Sequence, residues 1–337
     1  MAASAGGAVA PARSGAGATP SARRFRFAPW APVLVLVALC AVATAINPNF
    51  LTFGNLVRVA QAAMIPLVLG LGATFVILMG SIDLSVEGVL TLGAVVLSLL
   101  VRNGANGNDL GVFAVLIVLA VGAGMGALNG LVHVRLRIPS FMATLGMWFV
   151  GVGLGNAILG GLAVRITDPV IRGLALDRIL GFPWGVWLAL AALLVAYVIQ
   201  DHTRLGRYFY ALGGGEELAA LSGIPARRVR VLAFTLAGTF YALGGVLAAA
   251  QLGLGNAQIG TGRLFTTITA VVVGGTSLSG GQGSVLQTLV GVLIVSVLSN
   301  GMVLMGISPS VQQAVQGLLI IGAVALSIDR ARARIVK

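Results

Sequence analysis

Long apolar runs separated by short polar segments dominate the chain from residue 30 onward. A helix needs about 20 apolar residues to cross the hydrocarbon core of a bilayer. The pattern therefore predicts ten membrane spans, at residues 30–46, 58–79, 84–101, 111–132, 141–162, 184–200, 231–253, 265–279, 285–305 and 310–327. The predicted fold class is all-α, a polytopic transmembrane helical bundle of about ten segments, some of them short or broken.

The N-terminal region has a different composition. Residues 1–22 are rich in Ala, Gly, Ser and Pro and lack an apolar period, which predicts a disordered tail, and residues 23–337 are assigned to a single transmembrane domain. Basic residues at 23–26 precede the first apolar run, and Ala43-Thr44-Ala45 resembles a signal-peptidase site. The run 30–46 is therefore either a signal peptide or a retained first span.

The basic residues orient the predicted spans. If the ten spans alternate from a cytoplasmic N-terminus, 15 of the 21 basic residues fall in segments on the cytoplasmic side. The positive-inside rule favours this arrangement, with both termini in the cytoplasm. It also favours a retained first helix, because nine spans would place the two termini on opposite sides.

Composition narrows the function classes. Hydrophobic residues make up 58% of the 337 residues and charged residues only 9%, against about 25% charged in a typical soluble domain. A soluble enzyme and a disordered chain are therefore unlikely classes, and the single Cys40 excludes an internal disulfide framework. We interpret the net charge of +12 as basic cytoplasmic loops rather than as a nucleic-acid surface.

Catalytic and metal-binding patterns are missing from the sequence. A Walker A loop needs Gly-Lys-Ser or Gly-Lys-Thr, but the only lysine is Lys337. His133 and His202 lack neighbouring carboxylates at ligand spacing, and no cofactor is expected. Few ionisable groups fall within the spans, which argues against a proton- or sodium-coupled carrier and for a partner that hydrolyses ATP. An autonomous carrier or channel for a small polar solute stays the alternative.

The first polar break lies at residues 80–88, between two apolar spans. Its polar side chains are Ser81, Asp83, Ser85 and Glu87. One interpretation is structural: Asp83 caps the next helix, and Glu87 lies in its first turn, where the helix dipole favours negative charge. The other is that the break lines a hydrophilic path for a polar solute. Both can hold.

A second, glycine-rich break covers residues 274–284 and carries Thr276, Ser277 and Ser279. Its Gly-x-x-x-Leu-Ser spacing, from Gly274 to Ser279, repeats the spacing from Gly80 to Ser85. Interrupted hydrophobic segments in matching halves indicate a substrate site in many transporters. The alternative is that so short a repeat of this spacing arose by chance.

A third polar stretch, 201–230, predicts a short helix from Glu216 to Leu221 with Glu217 in its first turn, Ser222 after it and Gly223 as the C-terminal cap. Flanked by arginines, this helix is either a docking element for a partner protein or an interfacial helix on the lipid headgroups.

Four segments together resemble the membrane permeases of ribose- and xylose-type ATP-binding-cassette (ABC) importers. They are GSIDLSVEG (80–88), IPSFMATLG (138–146), GGGEELAALSGI (213–224) and GGTSLSGGQGS (274–284), in the same order as in that family. The likeness covers about residues 46–328. The chain departs from the family at Gly215, where Asn is common, at Ser81 and near Glu87, where Gly is common, and at Val150, where the Arg that often follows the TLG motif is missing.

The resemblance implies a permease domain over 23–337 that moves a monosaccharide or related polyol inward across a bacterial cell membrane. It implies a second permease copy, as a homodimer or a heterodimer, together with an ABC ATP-binding subunit and an extracytoplasmic sugar-binding protein. Glu216, Glu217, Leu221, Ser222 and Gly223 would form the helix that docks on the ATPase. Relatives of this fold also carry nucleosides or branched-chain amino acids.

Overall fold

The computed structural model describes residues 30–327, and the predicted tail 1–22 lies outside the described residues. This part of the chain forms thirteen α-helices. They are α1 (Ala31–Ile46), α2 (Phe53–Leu78), α3 (Val86–Leu100), α4 (Phe113–Leu136), α5 (Ser140–Leu159), α6 (Pro169–Leu176), α7 (Trp184–Tyr197), α8 (Arg204–Gly214), α9 (Glu216–Leu221), α10 (Ala226–Leu252), α11 (Arg263–Val273), α12 (Val285–Leu304) and α13 (Pro309–Ser327).

Short elements complete the fold. A 3₁₀ turn, Pro48–Leu51, joins α1 to α2, and a π-helical turn, Val198–His202, extends α7. The strands are β1 (Val164–Arg165), β2 (Arg178–Ile179), β3 (Phe182–Pro183) and β4 (Leu254–Gly255). β1 pairs with β4, and β2 pairs with β3, both antiparallel.

Each of the ten predicted spans corresponds to a helix, which confirms the all-α bundle. Six helices of the described chain are long and apolar enough to cross a bilayer, namely α2, α4, α5, α7 with its π-helical turn, α10 and α12. Three further apolar helices, α1, α3 and α11, are shorter. α1 packs on α12 through Leu39, Cys40 and Ala43 beside Val297, and whether this span is retained stays a prediction.

The connections lie alternately at two ends of the bundle. At one end, the ring centroids of Phe53 and Phe182 are 5.6 Å apart, and β1 pairs with β4; we call this the α6 end. At the other, the Ile82 amide donates to Ser140 Oγ at 3.1 Å, and the Gly281 amide donates to the Leu78 carbonyl at 2.8 Å. We call this the α8–α9 end. The alternation matches the predicted crossing pattern.

α4 and α10 pack backbone to backbone along a row of glycines. Gly122, Gly126 and Gly130 recur every fourth residue and therefore share one face of α4. A methyl group at Gly126 would overlap the carbonyl oxygen of Phe234, and one at Gly130 would lie 2.7 Å from the Cα of Val231. Small residues allow this close approach, which is how membrane helices associate without a hydrophobic driving force.

The prediction that some spans are short or broken is confirmed at 84–101 and 265–279. α3 has 15 residues and α11 has 11, so they extend only about 22 Å and 16 Å at 1.5 Å per residue. α11 ends earlier than predicted because the chain turns at Gly274 and Gly275, and Gly275 has φ +109, which disfavours any residue with a Cβ.

The two short helices begin beside each other and run to opposite ends. After α10 the chain turns back along α3, where Gly255 contacts Ser98 and Gly260 contacts Thr91. α11 then starts level with the first turn of α3, about 20 Å from the α3 C-terminus at 1.5 Å per residue. Since the hydrocarbon core is about 30 Å thick, both N-termini lie well inside the bundle.

We predict that Gly126→Val lowers the thermal stability of the purified protein, because the added side chain overlaps the α10 backbone. Overpacking of this kind costs about 1–3 kcal/mol. Gly124→Val is the matched control: it is on the same helix, and no atom of another helix lies within 4 Å of the position a Cβ would take there. Equal melting temperatures for the two variants would contradict the glycine-mediated contact.

Candidate functional site

The α2–α3 connection, residues 79–85, carries the first predicted motif into the interior. Ser81, Asp83, Ser85 and Glu87 are all buried, at no more than 6% exposure. The side chain that faces outward in this segment is Ile82, which is 38% exposed. The polar groups of the break are therefore packed against the protein's own helices in this conformation.

Asp83 organises the start of α3, although not as its cap. Asp83 Oδ1 accepts from the Ser85 amide at 2.8 Å and from Ser85 Oγ at 2.6 Å. The prediction of an Asp83 N-cap is wrong, because the helix begins at Val86 and the N-cap position belongs to Ser85. Asp83 instead closes an Asx turn two residues earlier, and this turn sets the position of Ser85.

Two residues on other helices extend this network. Asn129 on α4 donates from Nδ2 to Ser85 Oγ at 2.9 Å, and the Tyr241 hydroxyl on α10 faces Asp83. Among the described residues, Asp83 Oδ2, Asn129 Oδ1 and the Tyr241 hydroxyl have no hydrogen-bond partner of good geometry. A cavity of about 90 Å³ borders Asp83, and its other lining residues are apolar. The three unpartnered atoms leave the cluster able to accept or donate further hydrogen bonds.

Glu87 joins the two half-length helices. It lies in the first turn of α3, as predicted, but its Oε1 accepts from the Leu264 amide of α11 at 3.0 Å. The N-cap residue of α11 is Gly262, which offers no side-chain cap, so the Glu87 carboxylate replaces the missing cap. The positive ends of both helix dipoles meet at this carboxylate, and the positive charge of Arg263 acts on it as well.

The second motif lies at the α8–α9 end, in contact with the first. Gly80 packs against the backbone of Ser279. Thr276 is buried with its hydroxyl unpartnered among the described residues, Ser277 is half-buried and Ser279 is exposed. The structure thus brings the two predicted breaks together.

The element that mirrors the first break is a different one. Residues 79–85 are a non-helical segment followed by the half-length helix α3, and residues 253–262 are a non-helical segment followed by the half-length helix α11. The segment 274–284, which repeats the Gly-x-x-x-Leu-Ser spacing, lies at the same end of the bundle as residues 80–85. The sequence repeat therefore does not identify the segment that is structurally equivalent to the first break.

α8 connects the candidate docking helix α9 to both breaks. The Tyr210 hydroxyl donates to the Gly283 carbonyl at 2.7 Å, and a methyl group at Gly213 would overlap the Leu78 carbonyl. Burial, followed by the charge of Asp201, raises the pKa of Tyr210 to about 12, so the phenol keeps its proton at physiological pH. Any displacement of α8 therefore acts directly on residues 78–80 and 280–283.

α9 is a short capped helix that presents apolar side chains outward. The Gly223 amide donates to Ala220 and the Ile224 amide donates to Ala219, with φ +77 at Gly223. This is a Schellman motif and agrees with the predicted helix and cap. Leu218 and Leu221 are 70% and 85% exposed. Ser222, also exposed, donates through its hydroxyl to the Leu218 carbonyl.

The two acids of α9 differ in their surroundings. Glu216 Oε2 pairs with Arg230 Nη2 at 2.7 Å and so ties α9 to α10. Glu217 is exposed and makes no ion pair within the described part of the chain. Glu216 therefore holds the helix in place, whereas Glu217 is available to another molecule.

Sequence inspection missed Asn129, Tyr241 and Arg263. Asn129 and Tyr241 are single polar residues inside apolar spans, and such residues commonly mark functional or packing sites in membrane helices. That signal was in the sequence. The pairing of Glu87 with α11 could not be found there, because 177 positions separate the two residues.

Known proteins resemble the chain over most of its length. Residues 55–324 match the family described as the permease component of the branched-chain amino acid transport system. The ribose import permease protein of Escherichia coli K12 is 36% identical over 290 residues, which cover 83% of this chain and 89% of the relative.

Two further relatives carry similar names. The ribose import permease protein of Bacillus subtilis 168 is 34% identical, over 80% of this chain and 83% of its own. The autoinducer 2 import system permease protein of Enterobacter sp. 638 is 35% identical, over 78% and 76%. No solved structure matches the chain significantly.

We predict that Glu87→Ala destabilises the protein by about 1–3 kcal/mol, because it leaves the buried Leu264 amide unpaired. Glu87→Gln has the same shape and keeps an acceptor oxygen, so it should cost clearly less. Thermal unfolding of the purified variants measures both. If Glu87→Gln is as damaging as Glu87→Ala, the carboxylate acts through its charge and not as the cap of α11.

Proposed function

The chain belongs to the ribose-type permease family of ABC importers, and from that premise we propose that it forms the translocation pathway for a monosaccharide or related polyol. The proposed class of solute rests on the similarity of the chain to ribose import permeases of three bacteria. The autoinducer 2 permeases and the family's own description support the alternatives, another small polar solute or a branched-chain amino acid.

We place ATP hydrolysis on a separate ABC ATP-binding subunit. α9 provides the docking element, because its exposed Leu218 and Leu221 lie beside the unpaired carboxylate of Glu217. Isolated exposed leucines are common, but two on a six-residue capped helix outside the bundle form a compact apolar knob. Glu216, Ser222 and Gly223 hold the shape of this knob.

Coupling would pass through α8. A force on α9 reaches α8 directly, and α8 is fixed to the α2–α3 and α11–α12 connections by Tyr210 and Gly213. Those two connections, together with the first turn of α3, contain the seven proposed pathway residues, Ser81, Asp83, Ser85, Glu87, Thr276, Ser277 and Ser279. In this conformation Ser277 and Ser279 are accessible to solvent. Asp83, Ser85 and Glu87 are buried and support the wall of the proposed pathway from inside the protein.

We orient the α8–α9 end toward the cytoplasm of a bacterial cell, with both termini on that side. The distribution of 15 of the 21 basic residues supports this orientation. An extracytoplasmic sugar-binding protein would then dock at the α6 end. There α6 and the two strand pairs form an ordered cap, held by the Asp168 side chain at the start of α6 and by Arg172 Nη1 donating to the Ala250 carbonyl at 2.6 Å.

A second permease copy completes the proposed importer. The family resemblance supports it, and the chain would pair either with itself or with a similar permease. The pathway would then run between the copies, and alternating access would open each end in turn.

Reconstitution tests the proposed function. The chain is placed in liposomes together with the ATP-binding subunit and the sugar-binding protein from the same organism, and uptake of radiolabelled ribose and other monosaccharides is measured. We expect uptake that needs ATP and both partners. Solute flux through the chain alone would contradict the proposal and favour an autonomous carrier or channel.

We predict that Leu221→Ala, and more strongly Glu217→Arg, reduces co-purification of the ATP-binding subunit while the melting temperature of the permease stays unchanged. Leu162→Ala is the matched control, because this leucine is 72% exposed but lies at the α6 end. Undiminished co-purification with both α9 variants would show that the docking surface lies elsewhere.

A further inference from the structure

A basic cleft opens between α4 and α10 at the α8–α9 end. Its volume is about 710 Å³, and its lining residues are Leu131, Val134, Arg135, Arg137, Arg227, Arg228, Val231 and Leu232. We call it the arginine cleft. It lies on the side of the bundle, away from Asp83 and Glu87, and none of the functions discussed above uses it.

The glycine row explains why the cleft forms at this position. Close packing of α4 on α10 ends at Gly130, whose backbone touches Val231. Leu131 and Val134 on α4 follow directly, and opposite them the chain enters α10 at Ala226. Larger side chains replace the glycines here, so the two helices can no longer touch and a gap opens toward the bundle surface.

Four arginines surround the mouth of the cleft. Arg135 and Arg137 come from the end of α4, and Arg227 and Arg228 from the first turn of α10; all four are exposed. No carboxylate lines the cleft, and within residues 30–327 none of the four forms an ion pair. The nearby Glu216 is already paired with Arg230.

The start of α10 adds to this positive potential, whereas the end of α4 brings the negative end of its helix dipole close to Arg135 and Arg137. α10 begins without a side-chain cap and without an acidic residue in its first turn. Arg227 and Arg228 therefore stand at the positive end of a helix dipole, where basic side chains are unfavourable unless an anion is close. Arg137 itself is held in a left-handed conformation, with φ 57, at the C-terminus of α4.

The floor of the cleft is apolar and continues onto the membrane-facing surface. Leu131 and Leu232 are 38% and 48% exposed, and Leu128, one turn further into the membrane, is 52% exposed. A ligand that fits the whole cleft therefore has an anionic head at the headgroup level and a hydrocarbon part below it. Basic pockets between membrane helices bind anionic lipid headgroups in this way.

We propose that the arginine cleft is a binding site for an anionic phospholipid, with its phosphate among Arg135, Arg137, Arg227 and Arg228 and an acyl chain along Leu131 and Leu232. The bound lipid bridges the end of α4 and the start of α10. Because α9 is followed directly by α10, the bound lipid also stabilises the position of α9 relative to the bundle.

Lipid-dependent stability of the purified full chain tests this proposal. Detergent-solubilised protein is titrated with phosphatidylglycerol, with phosphatidylcholine, and with soluble glycerol phosphate, and the melting temperature and the number of bound lipids in native mass spectra are recorded. The cleft variant is Arg135→Gln with Arg228→Gln. The matched control is Arg204→Gln with Arg207→Gln, which removes the same charge from exposed arginines at the same end.

We expect phosphatidylglycerol, but not phosphatidylcholine or glycerol phosphate, to raise the melting temperature of the wild type and of the control. The cleft variant should bind phosphatidylglycerol about 10- to 30-fold more weakly. Equal loss in both double variants would overturn the proposal in favour of general charge attraction. A full effect of glycerol phosphate would reduce the site to a small-anion site. An unchanged lipid response of the cleft variant would also overturn the proposal, and loss of the co-purifying ATP-binding subunit in that variant would then identify the cleft as a protein-docking surface.

Discussion

The requirement that every buried backbone amide find a partner inside the membrane governs the architecture of this chain. Lipid offers no hydrogen bonds, so a helix can begin inside the bundle only where protein groups satisfy its first amides. α11 does begin there, and Gly262 gives it no side-chain cap. The carboxylate of Glu87, supplied by α3, accepts from the Leu264 amide instead. The two half-length helices therefore depend on each other.

The same junction relates the structure to transport. A bundle of unbroken helices would offer a passing solute only hydrocarbon side chains, whereas the broken helices bring polar groups to mid-depth. Asp83, Ser85, Asn129 and Tyr241 fix the α2–α3 break from three sides. α8 packs against both breaks and is followed in the chain by the exposed helix α9. Movement supplied at α9 thus has a short, continuous route to the polar interior.

The sequence was sufficient to predict helices wherever a local pattern decides the outcome. Apolar length located all ten spans, and Gly223 located the end of α9, because bilayer thickness and the left-handed cap are local constraints. It failed in one local detail: Asp83 is a good N-cap residue, yet Asp83 Oδ1 accepts from the Ser85 amide in an Asx turn and Ser85 occupies the N-cap position. It also failed where tertiary contacts decide. The partner of Glu87 and the true mirror of the first break depend on how distant helices pack.

Hydrogen exchange at the start of α11 tests the central claim most directly. Peptides covering residues 260–268 of the purified protein are followed by mass spectrometry, with the same peptides of the denaturant-unfolded protein as the fast-exchanging reference. An amide held by a buried carboxylate opens only with the surrounding structure, so the account predicts slow exchange at Leu264, comparable with the core of α10. Exchange as fast as in the unfolded protein would show that α11 begins without the Glu87 contact and would contradict the account.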